Sequence, residues 1–143
     1  MKTKTFSIKA LMAMLLLCLP FAITACGDDD DEPDGPKTYT YEWTMSNAMP
    51  SNGTAAENQA ASNAQIAVNS VLVKAFQTLG TVDSDKQTLA ITGGDDNSND
   101  NKVRAAYYGA ADDVSAAAVG LPDNARITIK RGGTKIVDNV KLK

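Results

Sequence analysis

Thr38-Tyr39-Thr40-Tyr41-Glu42-Trp43-Thr44-Met45 is the stretch that decides the fold class. Large apolar side chains alternate with Thr and Glu at a period of two, the spacing at which successive side chains of an extended strand leave on opposite faces. Such a strand has one apolar and one polar side, and the apolar side needs a second layer to cover it. Tyr39, Tyr41 and Trp43 then admit two readings. As a core face they fill an interior with few other bulky side chains to draw on. As an exposed row they form an aromatic platform, and so a ligand-binding set, for a glycan or a peptide. The shortage of other large residues favours the core.

The covering layer follows directly. Thr54-Ala55-Ala56-Glu57 has the form of a capping box, in which Thr and Glu satisfy each other's backbone N–H groups at a helix start. Beyond it Ala64, Ala67, Val68, Val71, Leu72, Ala75, Phe76 and Leu79 recur at spacings of three and four. This predicts one long amphipathic helix, with Gly80 placed to end it. Its many small residues suit close packing on a sheet.

The remainder reads as short strands: Gln87 to Thr92, Lys102 to Tyr108, Arg126 to Arg131 and Thr134 to Leu142. Gly132-Gly133 supplies the turn between the last two, since glycine tolerates positive φ. In the last strand Ile136, Val140 and Leu142 share a phase that Asp138 interrupts, which predicts a bulge near Asp138-Asn139. Asp112 to Leu121 reads as a short helix or a crossing loop, and Pro122-Asp123-Asn124 as a turn. The expectation is an α+β domain over residues 37–143, with one long helix on an antiparallel sheet of about five strands in the order β-α-β-β-β-β. That order resembles the cystatin-like topology, which makes a small cell-surface peptidase inhibitor an alternative function. The inhibitory Gln-x-Val-x-Gly segment of that family is not found. The nearest stretch, Gln87-Thr88-Leu89-Ala90-Ile91, lacks its valine and its glycine.

Ahead of the domain, Lys2, Lys4 and Lys9 precede an apolar run from Ala10 to Ala22 that Pro20 interrupts. A helix of that length spans about 20 Å, short of the ~30 Å hydrocarbon core, so the run reads as an export signal rather than a permanent span. Ile23-Thr24-Ala25-Cys26 follows and resembles the lipobox of bacterial lipoproteins. The resemblance implies a signal peptide over residues 1–25, cleavage before Cys26, and acylation of its thiol. Burying two acyl chains at about 0.8 kcal/mol per methylene makes such an anchor permanent. Gly27 and the acidic run Asp28, Asp29, Asp30, Asp31 and Glu32 resemble the surface-export signal of lipoproteins from Bacteroidota. This implies a lipid-anchored protein of the outer membrane exposed on the cell surface, with the periplasmic face of that membrane as the alternative. The like charges also extend and hydrate residues 26–36, a tether in which Pro33, Gly35 and Pro36 oppose regular structure.

Composition narrows the chemistry. The chain carries 14 basic and 17 acidic residues, but acids and bases balance from Lys37 onward, so the acidity belongs to the tether. A neutral domain argues against a nucleic-acid partner, whose binding rests on phosphate neutralisation. Histidine is absent, and Cys18 and Cys26 both precede the domain. No Ser-His or Cys-His relay can be assembled, no Ser-x-x-Lys occurs, and zinc lacks its usual ligands. No catalytic residue, cofactor or metal site is expected. Asp95, Asn97 and Asn99 match three positions of a calcium loop, but Asp100 stands where glycine is required and Ala106 where a bidentate glutamate is required. Gly93 to Asn101 therefore reads as a hydrated hairpin loop. Asp112 and Asp113, adjacent in sequence, read as a solvated turn and not an acid/base pair. The expected role is a non-enzymatic binding module with a protein or glycan partner; a carboxylate-dependent hydrolase or lyase is the remaining alternative. Arg126, Lys130, Arg131, Lys135, Lys141 and Lys143 make the last hairpin basic, either as a dock for an acidic partner or as a solvated face whose lysines deter edge pairing.

Overall fold

The structure, a computed structural model, describes residues 35–143; the export signal, Cys26 and the acidic run lie outside the described residues. β1 (Thr38–Ser46) is the middle strand of a five-stranded sheet. It pairs antiparallel with β3 (Thr88–Thr92) on one side, with Tyr41 opposite Leu89. On the other side it pairs antiparallel with β4 (Arg126–Arg131), with Trp43 opposite Ile129. β2 (Thr81–Asp83) and β5 (Thr134–Lys141) form the two edges, giving the order β2-β3-β1-β4-β5. The alternation in β1 is realised: Tyr39, Tyr41 and Trp43 are buried, and Thr38, Thr40, Glu42 and Thr44 are exposed.

The helices of the described residues lie on the buried side, so the domain is α+β as the patterning indicates. α1 (Ala55–Phe76) begins with the capping box: Glu57 N–H donates to Thr54 Oγ1, and Thr54 N–H donates to Glu57 Oε2 at 2.7 Å. Its Ala61, Ala64, Val68, Leu72 and Phe76 enter the core. The helix stops at Phe76, a turn short of the expected Leu79. Gly80 plays a different part from a helix stop: a Cβ there would collide with the carbonyl of Ala90 on β3, so glycine lets the chain enter β2 at close range.

Among the described residues the expected single helix is three, and the expected strand over Lys102 to Tyr108 is not a strand. That segment belongs to α2 (Asp96–Gly109), followed by α3 (Ala111–Ala117) and a 3₁₀ turn (Ala118–Gly120). The observed order is therefore β-α-β-β-α-α-β-β, which departs from the cystatin-like order. Gly93 to Asn101 is likewise not a hairpin loop. Asp95 caps α2 by accepting from Ser98 N–H at 2.9 Å, and Asn99, Val103 and Tyr107 face inward at four-residue spacing. Period two is only weakly present in Lys102 to Tyr108, whereas the 3.6-residue period is satisfied once Asn99 is admitted as a buried residue.

The bulge expected near Asp138-Asn139 is present, between the pairs Ile127/Val140 and Ile129/Val137, and Asn139 takes a positive φ of 52°. A second irregularity follows at once between Ile129 and Lys130, and it lets the consecutive Ile136 and Val137 both be buried. Among the described residues no helix is long and apolar enough to cross a membrane.

Candidate functional site

The aromatic row offers no platform. Tyr41 and Trp43 are 0% exposed and Tyr39 is 6% exposed, all under the helices. Each polar tip has a protein partner, as buried polar atoms require. Tyr39 Oη donates to Gly94 O at 3.2 Å, Tyr41 Oη to Asp100 Oδ1 at 2.8 Å, and Trp43 Nε1 to Asn69 Oδ1 at 2.9 Å. The exposed-row reading of Tyr39, Tyr41 and Trp43 is thus corrected: the residues are core, because the sheet face they occupy is the one the helices need.

The strongest electrostatic cluster lies at the end of that face. Asp100, on α2, is buried. Arg131, the last residue of β4, donates Nε to Asp100 Oδ1 at 2.8 Å and Nη2 to Oδ2 at 3.1 Å, while its Nη1 reaches Asp96 at 3.0 Å. The Arg131 hydrogen bonds hold the Asp100 carboxyl below the ordinary carboxylate range, against the opposing effect of its own burial. Burial, and then the hydrogen bond to Asp100, push the Tyr41 phenol well above its usual value. The guanidinium is turned to two carboxylates and both oxygens of Asp100 are occupied. The arrangement fixes α2 to the sheet and holds no free acid, base or anion site.

Among the described residues two acids meet in one cleft, Glu57 and Asp123, beside Pro50 and Pro122. Hydrogen bonds from the Thr54 backbone and side chain hold Glu57 low, and Lys143 holds Asp123 low at 3.1 Å. A carboxyl that acts as a general acid needs the opposite shift. A larger groove of about 640 Å³ separates α1 from α2 and α3, floored by Val71, Ala75, Ala106 and Ala110 with Lys74 and Asp113 at its rim. The three calcium-loop residues are dispersed: Asp95 caps α2, and Asn99 is buried and donates Nδ2 to Gly93 O at 2.8 Å. Among the described residues no three His, Cys, Asp or Glu converge as metal ligands.

The surface with polar groups to spare is the open side of the sheet. Thr38, Thr40, Glu42 and Thr44 of β1 lie there beside Thr88 and Thr92 of β3 and Thr128 and Lys130 of β4. Beside the β5 bulge this face carries a depression of about 280 Å³ lined by Thr44, Thr128, Lys130, Lys135, Asp138 and Asn139. Asn139 N–H donates to Thr128 Oγ1 at 3.1 Å, and Lys135 Nζ pairs with Asp138 at 2.9 Å. Lys130 takes part in none of the ion pairs among the described residues.

No family model, curated protein or solved structure matches this chain. In the sequence Lys130 and Lys135 stand out only as members of a basic hairpin. Their gathering with Asp138 and Thr44 depends on strand register, for which the bulge at Asp138-Asn139 was the one available signal. In the sequence Asp100 stands out only as a misfit in a calcium loop, and no local pattern announces its pairing with Arg131 31 residues away.

Proposed function

We propose that this chain is a non-enzymatic binding module, anchored by a lipid on Cys26 and exposed at the outer-membrane surface. The anchor rests on Ile23-Thr24-Ala25-Cys26 behind its apolar run, and the surface placement on Asp28 to Glu32. The binding role rests on one observation: the acids of the interior and of the Glu57-Asp123 cleft are engaged in fixed pairs, while the hydroxyl-rich open sheet face keeps unengaged polar groups. A module that binds without turnover needs such a face and no titrating group poised for proton transfer. The tether of residues 26–36 is long enough to hold the domain off the lipid, at up to about 3.5 Å per residue.

Mass spectrometry of the N-terminal peptide from native membranes tests the anchor. The expected result is a peptide starting at Cys26 with added acyl mass, absent in Cys26→Ala. An unmodified thiol or a retained leader overturns it. Protease treatment of intact cells tests the exposure: the domain should be removed without permeabilisation, and full protection places it on the periplasmic side instead.

A further inference from the structure

We infer that the depression on the open sheet face binds the carboxylate-bearing unit of an acidic saccharide, a uronic acid. The inference rests on the binding-module reading above and gives that module its ligand class.

The chemistry of the lining carries it. Two hydroxyls, one amide, one carboxylate and two ammonium groups surround the depression, and none of its six residues is apolar. A peptide side chain that gains by desolvation finds no pocket there. A polyol, which presents donors and acceptors around its whole rim, finds both. Thr128 Oγ1 already accepts the Asn139 N–H, so its own hydrogen is left to donate outward. Both Asp138 oxygens lie against Lys135 Nζ, at 2.9 and 3.1 Å, and each keeps lone pairs for sugar hydroxyls.

The charge pattern asks for one anion. Lys130 and Lys135 stand directly opposite each other in the β4–β5 register. Like charges in that position destabilise a sheet. Asp138 offsets Lys135 alone. Glu42 stands opposite Lys130 on its other side, in the β1–β4 register, but makes no ion pair with it and does not line the depression. A single carboxylate beside Lys130 relieves the conflict. At about 280 Å³ the space falls just below the ~300 Å³ at which clefts for drug-sized ligands begin, which suits one sugar ring.

The test is calorimetric titration of the full-length lipidated protein in nonionic detergent micelles at low salt. The probes are trigalacturonate, its methyl ester and triglutamate. Trigalacturonate is expected to bind, with its ester and triglutamate each weaker by up to about fivefold, the upper worth of an exposed charge contact. Lys130→Met should remove the preference for the acid over the ester, and Asp138→Asn should weaken both sugars alike. Lys130→Gln serves as a second variant, and melting temperatures no lower than the parent's confirm that the fold is intact. Absence of trigalacturonate binding, equal binding of acid and ester, or a preference for triglutamate overturns the assignment. None of these results bears on Cys26 or on surface exposure, which the mass and protease measurements decide separately.

Discussion

Arg131 holds Asp100 through two nitrogens, at 2.8 and 3.1 Å, and thereby ties the last residue of β4 to the second turn of α2. The same carboxylate accepts Tyr41 Oη from the central strand at 2.8 Å. One buried acid thus joins three elements distant in sequence. A bidentate pair of this kind is directional where apolar contacts are not. It fixes the position of α2, whose Val103 and Tyr107 are buried and whose Arg104 reaches the Ile136 carbonyl of β5.

Asp100→Asn is expected to lower stability near pH 7 by about 2 kcal/mol, since it replaces charge-assisted hydrogen bonds and leaves the guanidinium short of a counter-charge. The pH dependence follows from the sign of the shift. The folded state holds the Asp100 carboxyl below its ordinary value of 3.8, so the unfolded chain takes up the proton first. The contribution is complete above that value and is lost as the pH falls through it toward the lower folded value. Thermal melts of the protein and the variant should therefore converge in acid. A difference that stays constant from pH 7 to pH 2.5 would show that Asp100 contributes shape and not charge.

Local signals were legible where local physics decides the outcome. β1 alternates without exception, and the Thr54 capping box needs only residues three apart, so both were read from sequence with the right faces and partners. The Asp138-Asn139 bulge was legible because a break in parity can be seen in a single strand. α2 was misread because its first turns, Asp96-Asn97-Ser98-Asn99-Asp100, are poor helix formers, and because two of them are buried polar residues. What makes that burial tolerable is Arg131 and the Gly93 carbonyl, neither of them a neighbour in the pattern. The depression on the open face was invisible for a related reason: it is assembled by register across β1, β4 and β5.

Trp43 is the single tryptophan of the chain, and it is sealed between the sheet and Phe76, whose ring centroid lies 5.4 Å away. Its emission is therefore expected at short wavelength, with iodide quenching far below that of a free indole, and unfolding should shift it to the red. Trp43→Phe keeps an aromatic ring but removes volume and strands Asn69 Oδ1, so a loss of about 2 kcal/mol is expected in melts followed by circular dichroism. Quenching close to that of the free indole would mean that the row faces water and would restore the platform reading.

β5 is an edge strand, and edges expose backbone groups that recruit other chains. Lys135 and Lys141 and the two irregularities already discourage such pairing. Arg104 adds a further device: from α2 it reaches across and donates Nε to the Ile136 carbonyl at 2.9 Å, closing one acceptor of the edge. Arg104→Ala should cost about 1 kcal/mol of stability, the usual net worth of one hydrogen bond. Its larger effect should be on association, because the uncovered carbonyl lies beside the buried Ile136-Val137 pair, the most apolar part of the strand. Light scattering of the variant should rise with concentration where the parent stays flat. Arg104→Lys should be intermediate, since it keeps the repelling charge but not the planar N–H that meets the carbonyl. If Arg104→Ala melts and scatters as the parent does, the lysines and the bulges suffice to guard the edge, and the contact with Ile136 is incidental.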